Sequence, residues 1–151
     1  MIKNDTLIYV KTTETCNLNC NHCFTNGING AKIYFKPEAV AKWCNELKDL
    51  VPEMTTHFEY HGGEPFLAPV DDMWKFYELT QEKWNGDATY GITTNLVLKL
   101  TDKRLDFLDE VCDKRIGTSW DPTIRFDNEK QILIKMGVWI SFFILFLAHH
   151  I

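Results

Sequence analysis

The chain has 151 residues, 45% of them hydrophobic and 25% charged, which suits one compact domain with a real core. Its formal charge of −5 excludes the basic footprint that nucleic acid or an anionic membrane surface would need. Five cysteines, an odd number, follow a start without the apolar core of an export signal, so clustered thiols in a reducing cytoplasm are expected instead of a disulfide framework.

The pattern predicts a first strand over residues 7–10, which runs into Cys16, Cys20 and Cys23 in the order Cys-Asn-Leu-Asn-Cys-Asn-His-Cys. Thiolates this close in sequence can surround one metal centre, and they select soft centres such as zinc, Cu(I) or an iron–sulfur cluster. A structural zinc site and the usual cluster site both take four protein ligands. Here the local set stops at three, so a four-iron cluster would keep one iron open to an outside ligand. The rival is a zinc site completed by His61 or His57.

Pro37 suits the first turn of a helix in which Val40, Trp43, Leu47 and Leu50 share one face. A second strand over 57–60 ends at Gly62-Gly63-Glu64-Pro65. Asp71 and Asp72 then match the positive end of a second helix, with Met73, Tyr77, Thr80 and Trp84 on one side. A third strand over 89–93 leads to Thr94-Asn95, and Thr101 caps a third helix with Leu105, Leu108 and Cys112 inward. Leu100 and Leu105 fit a hydrophobic staple around that cap. A fourth strand over 115–119 delivers Ser119 and Asp121. Asp127 is expected to cap a helix ending at Gly137, and residues 138–143 to form a fifth strand or part of an apolar tail running over 136–151. That run is too short for a membrane span, which takes roughly 18 apolar residues. Cys44 and Cys112 read as small buried hydrophobes, and Trp43, Trp74 and Trp84 as packing residues.

Alternating βα units with short connections imply an α/β fold with parallel strands. Ligands in such folds bind at the carboxyl ends of strands. Four consecutive strands here end in thiols, glycines or polar groups, so one rim gathers the chemistry.

The cysteine triplet together with Gly62-Gly63-Glu64-Pro65 resembles the radical S-adenosylmethionine (SAM) enzymes. The resemblance runs to about residue 125, the extent of the regular βα order. It implies a partial (βα) barrel of the radical SAM type, with four to five parallel strands, helices outside and the C-terminal units missing. Residues 1–151 would then form a single incomplete core domain. By the resemblance, Cys16, Cys20 and Cys23 hold a [4Fe–4S] cluster whose open iron chelates SAM. Reductive cleavage of SAM gives a 5′-deoxyadenosyl radical that abstracts hydrogen from substrate. His22 falls near the adenine, Gly62 and Gly63 let backbone approach the ligand, and Glu64 accepts from the methionine ammonium. Asn95 and Ser119 match contacts to the ribose or carboxylate of SAM, and Asp121 a substrate-facing group. An external flavodoxin- or ferredoxin-like reductant is implied. The segments 60–65 and 119–121 lean toward the peptide-modifying branch that includes the anaerobic sulfatase-maturating enzymes, although the later cysteines of that branch are missing. A shortened cluster-binding remnant without turnover and a zinc-stabilised binding module are the alternatives.

Overall fold

A computed structural model describes residues 4–20, 23, 25, 27–118, 126–127 and 130–131. Four strands, β1 (Asn4–Thr13), β2 (Met54–Gly62), β3 (Ala88–Thr93) and β4 (Ile116–Gly117), lie side by side in that order and are all parallel. Between them run α1 (Pro37–Leu50), α2 (Val70–Trp84) and α3 (Asp102–Asp106), so the βα alternation is that of a partial barrel.

Side chains alternate across a strand, and here the alternation separates two chemistries. Val10, Phe58, Tyr60, Tyr90 and Ile92 are buried with Met73, Phe76 and Trp84 of α2. Phe58 is the hub: its ring centroid lies 5.3 Å from Phe76, 5.2 Å from Trp84 and 5.4 Å from Tyr90. The opposite face carries Leu7 and Tyr9, both exposed, together with the pair His57 and Glu59. His57 Nε2 lies 2.9 Å from Glu59 Oε2, and Thr93 Oγ1 donates to Glu59 Oε1 at 2.6 Å.

Two helix faces differ from the expectation. In α1 the buried positions are Pro37, Ala41, Cys44 and Lys48, whereas Trp43 and Leu50 are exposed. The stripe is turned by about one residue because Lys48 has a specific place to go. Its ammonium donates to Pro52 O at 2.6 Å, Met54 O at 2.8 Å and Asp87 Oδ2 at 2.7 Å, and it sits over the Trp84 ring. In the third helix Thr101 makes no side-chain cap bond, and the chain widens into a π-type turn over Phe107–Val111. Leu105 is exposed while Phe107, Leu108, Val111 and Cys112 are buried, so Leu105 is not the inward residue expected of it.

Beyond β4, Phe126–Asp127 (β5) pairs antiparallel with Lys130–Gln131 (β6). Asp127 therefore lies in a strand pair and does not cap the expected helix; aspartate is as much a turn residue as a cap. The fifth strand expected over 138–143, and the apolar run around it, lie outside the described residues. Among the described residues no helix is long and apolar enough to cross a membrane.

Candidate active site at the strand ends

The carboxyl ends of β1 and β2 are sewn together by backbone. Gly63 N donates to Thr13 O at 3.0 Å and Glu64 N to Thr15 O at 2.9 Å. A Cβ on Gly62 would lie 2.3 Å from Thr13 O, and one on Gly63 2.1 Å from Thr15 O. The two glycines are thus needed first by the chain itself, because the loop after β1 presses directly on them. Cys16 follows Thr15 and is brought beside the end of β2 by this seam.

The cysteine loop then folds back: Cys16 N donates to Gly27 O at 3.0 Å, and Cys23 N to Cys20 O at 3.0 Å. Cys16, Cys20 and Cys23 are free thiols, each half-buried, and all three line one cavity. Gly62 at the end of β2, Gly63 just past it and Asn95 beyond β3 line the same cavity, joined by His61 and Thr93. Among the described residues no three metal-ligating side chains converge as a single bound ion would require. Three thiols on one cavity, beside Gly62 and Gly63, are a donor set that fits a [4Fe–4S] cluster with one iron left open.

Glu64, expected to accept an ammonium, turns into its own chain. Its side chain is fully buried; Oε1 accepts from Thr94 Oγ1 at 2.7 Å and Phe66 N at 3.2 Å, and Oε2 from Asn95 N at 2.8 Å. Burial pushes its pKa up, against the hydrogen bonds from Asn95, Thr94 and Phe66 and the nearby Arg104 charge, which pull it down. Asn95 is likewise occupied: Nδ2 donates to Asn17 Oδ1 at 2.7 Å and points at Cys16 Sγ at 3.6 Å, while Oδ1 accepts from Val97 N at 2.9 Å. Leu18 N adds a second donor to the Cys16 sulfur at 3.4 Å. Burial raises the Cys16 thiol pKa, opposed by the Leu18, Asn17 and Asn95 hydrogen bonds and reinforced by the Glu64 charge. For His61, burial lowers the imidazole pKa, which favours its neutral form.

His22, Ser119 and Asp121 lie outside the described residues. Three residues join the site that sequence patterns did not mark as ligand-holding. Asn17 receives the Asn95 amide, Thr25 Oγ1 lies 3.0 Å from Cys23 Sγ, and Thr93 couples the cavity to Glu59. Asn17 and Thr25 sit next to or two residues from a cysteine, but a small polar residue in a loop carries no signal until the loop is folded.

Residues 10–134 match the Radical SAM superfamily, and the chain belongs to that family. The family's cofactors are a [4Fe–4S] cluster and SAM, and its enzymes draw an electron from an external donor. Among curated proteins the chain is similar to a 7,8-dihydro-6-hydroxymethylpterin dimethyltransferase of Methanocaldococcus jannaschii, 27% identical over 134 residues, which are 87% of this chain and 24% of that protein. Among solved structures it is similar to native anSMEcpe with bound AdoMet, with a TM-score of 0.59 and 24% identity over 78% of this chain and 32% of that one. The same enzyme with bound AdoMet and the Kp18Cys peptide gives a TM-score of 0.58 at 22% identity, with the same two shares, 78% and 32%. At these identities the structures speak for the fold. The chain spans about a quarter of the curated relative and about a third of the solved chains.

Proposed function

We propose that residues 1–151 form one core domain of a radical SAM enzyme in which Cys16, Cys20 and Cys23 ligate the [4Fe–4S] cluster. The observation that carries the reading is three free thiols on one cavity that also receives the ends of β2 and β3. When bound, the cluster and SAM supply reductive cleavage to methionine and a 5′-deoxyadenosyl radical. The chain's own residues hold and shape the site. Gly62 and Gly63 line the cavity without side chains, and Glu64 next to them holds the backbone of Phe66 and Asn95. His22 serves the adenine of SAM, Ser119 its ribose or carboxylate, and Asp121 faces the substrate. A peptide substrate is favoured by the sequence likeness of 60–65 and 119–121 to the peptide-modifying branch, and the electron comes from a flavodoxin- or ferredoxin-like donor.

Anaerobic reconstitution followed by iron, sulfide and zinc analysis tests the ligand assignment. About one four-iron cluster per chain is expected, lost in Cys16→Ala, Cys20→Ala or Cys23→Ala and kept in Cys44→Ala and Cys112→Ala. Stoichiometric zinc without iron would overturn it in favour of the zinc module. Formation of 5′-deoxyadenosine from SAM with a chemical reductant then separates an enzyme from a cluster-binding remnant.

A further inference from the structure

We infer that Asn95 is a positioning residue that sets the reduction potential of the cluster held at Cys16; this rests on the cysteine assignment proposed above. The side-chain amide has no freedom of orientation. Its oxygen meets the Val97 N–H at 2.9 Å, and its nitrogen faces Asn17 Oδ1 at 2.7 Å and Cys16 Sγ at 3.6 Å. Turning the amide over would set its N–H groups against the Val97 N–H and its oxygen against two acceptors. The backbone on which the amide sits is also held. Asn95 N is clamped by Glu64 Oε2 at 2.8 Å, and Thr94 Oγ1 by Glu64 Oε1 at 2.7 Å. A fully buried carboxylate on the β2 side therefore aims an N–H at a thiol in the β1 loop.

Reduction adds one electron, and part of the added charge resides on the cysteine sulfurs. A donor pointed at such a sulfur stabilises the reduced form more than the oxidised one, so it raises the potential; hydrogen bonds to sulfur are among the levers by which proteins tune these centres. Cys16 receives two such N–H groups, Leu18 N at 3.4 Å and the Asn95 amide. The first is backbone and present with any side chain at 18. The second depends on Asn95. A purely structural role, tying the end of β3 to the cysteine loop, would alter stability or cluster retention but not the potential of a cluster retained on the same thiols.

The test compares wild type, Asn95→Leu and Asn95→Ser after anaerobic reconstitution, with iron and sulfide counted per chain and thermal unfolding recorded. Each cluster is then titrated with a one-electron chemical reductant and followed by electron paramagnetic resonance. Leucine keeps the bulk without the donor, and serine is too short to reach the sulfur. The expected result is a lower midpoint in both variants. At a fixed potential the reduced-to-oxidised ratio falls about three- to tenfold, or about 30–60 mV for one electron. A folded variant of either kind that carries the cluster at the wild-type midpoint overturns the inference and leaves the cysteine assignment intact. Wild-type protein that takes up no iron or sulfide overturns the cysteine assignment, and the inference with it.

Discussion

Glu64 Oε2 accepts the backbone N–H of Asn95 at 2.8 Å, so a carboxylate just past β2 fixes the chain just past β3. Glu64→Gln replaces one acceptor oxygen by a donor and must set it against Asn95 N–H, or against Thr94 and Phe66. A buried donor left without a partner costs about 1–3 kcal/mol, which urea unfolding at neutral pH should register. The pH dependence has an unusual sign for a carboxylate. Burial raises the folded-state pKa above the ordinary value of 4.5, so the folded chain holds this proton more tightly than the unfolded chain. Stability from Glu64 is therefore greatest below about 4.5 and falls as pH rises through the raised value. The gap between wild type and Glu64→Gln should narrow over that rise; a gap that widens instead would show the hydrogen bonds outweighing burial.

Gly63→Ala and Gly86→Ala separate two reasons for glycine. A Cβ at 63 meets the Thr15 carbonyl oxygen at 2.1 Å, so the β1–β2 seam must open to admit it. At Gly86 φ is +86° but nothing lies within 4 Å, leaving conformational strain alone. Gly86→Ala should cost about 1 kcal/mol. Gly63→Ala should cost at least twice that and also weaken iron retention, because Cys16 is placed by the same seam. Equal losses in unfolding free energy for the two variants would show that the seam relaxes freely.

The order of elements was legible because each βα unit carries its own periodicity: Pro37 begins α1, and Asp71 and Asp72 lie in the first turn of α2. The rim was legible for the same reason, since strand ends collect Cys16, Gly62 and Asn95 whatever the side-chain details. What was not legible depends on contacts distant in sequence. Trp43 looks like a core residue, yet the buried stripe of α1 is fixed by an ammonium, Lys48, that finds acceptors after α1 and before β3. Leu105 is exposed, and the π-type turn that follows it breaks the helical period that implies an inward Leu105. The partners of Glu64 were not legible either: two of its three donors, on Thr94 and Asn95, lie about 30 residues away and are set in place by folding.

Lys48 supplies the clearest stability test away from the site. Its three ammonium hydrogens are matched by three acceptors, Pro52 O before β2, Met54 O at the start of β2 and Asp87 before β3, and its side chain is almost completely buried. Lys48→Met keeps the stem packed against Trp84 but leaves the Pro52 and Met54 carbonyls without this donor. A loss of about 2 kcal/mol is expected, the range for hydrogen bonds to a charged group when one acceptor, Asp87, is half exposed. An unfolding midpoint in urea equal to that of wild type would show that water replaces the ammonium without cost.

Cysteine reactivity tests the division between ligand and core thiols without any metal. Cys44 and Cys112 have no exposed surface, and burial pushes the Cys44 thiol up to about 11 and the Cys112 thiol further still. Alkylation needs the thiolate, so neither should react in the folded chain at pH 8. Cys16, Cys20 and Cys23 border the cavity and should label first, with Cys16 slowed because burial raises its pKa. Mass spectrometry of the labelled peptides gives each rate separately. Labelling of Cys44 and Cys112 should appear as the chain unfolds in urea, and reconstitution with iron and sulfide should protect the loop cysteines together. Cys44 or Cys112 labelling at the loop rate in folded protein would overturn the assignment of those thiols to the core, and protection of one loop cysteine without the other two would break the three-thiolate site.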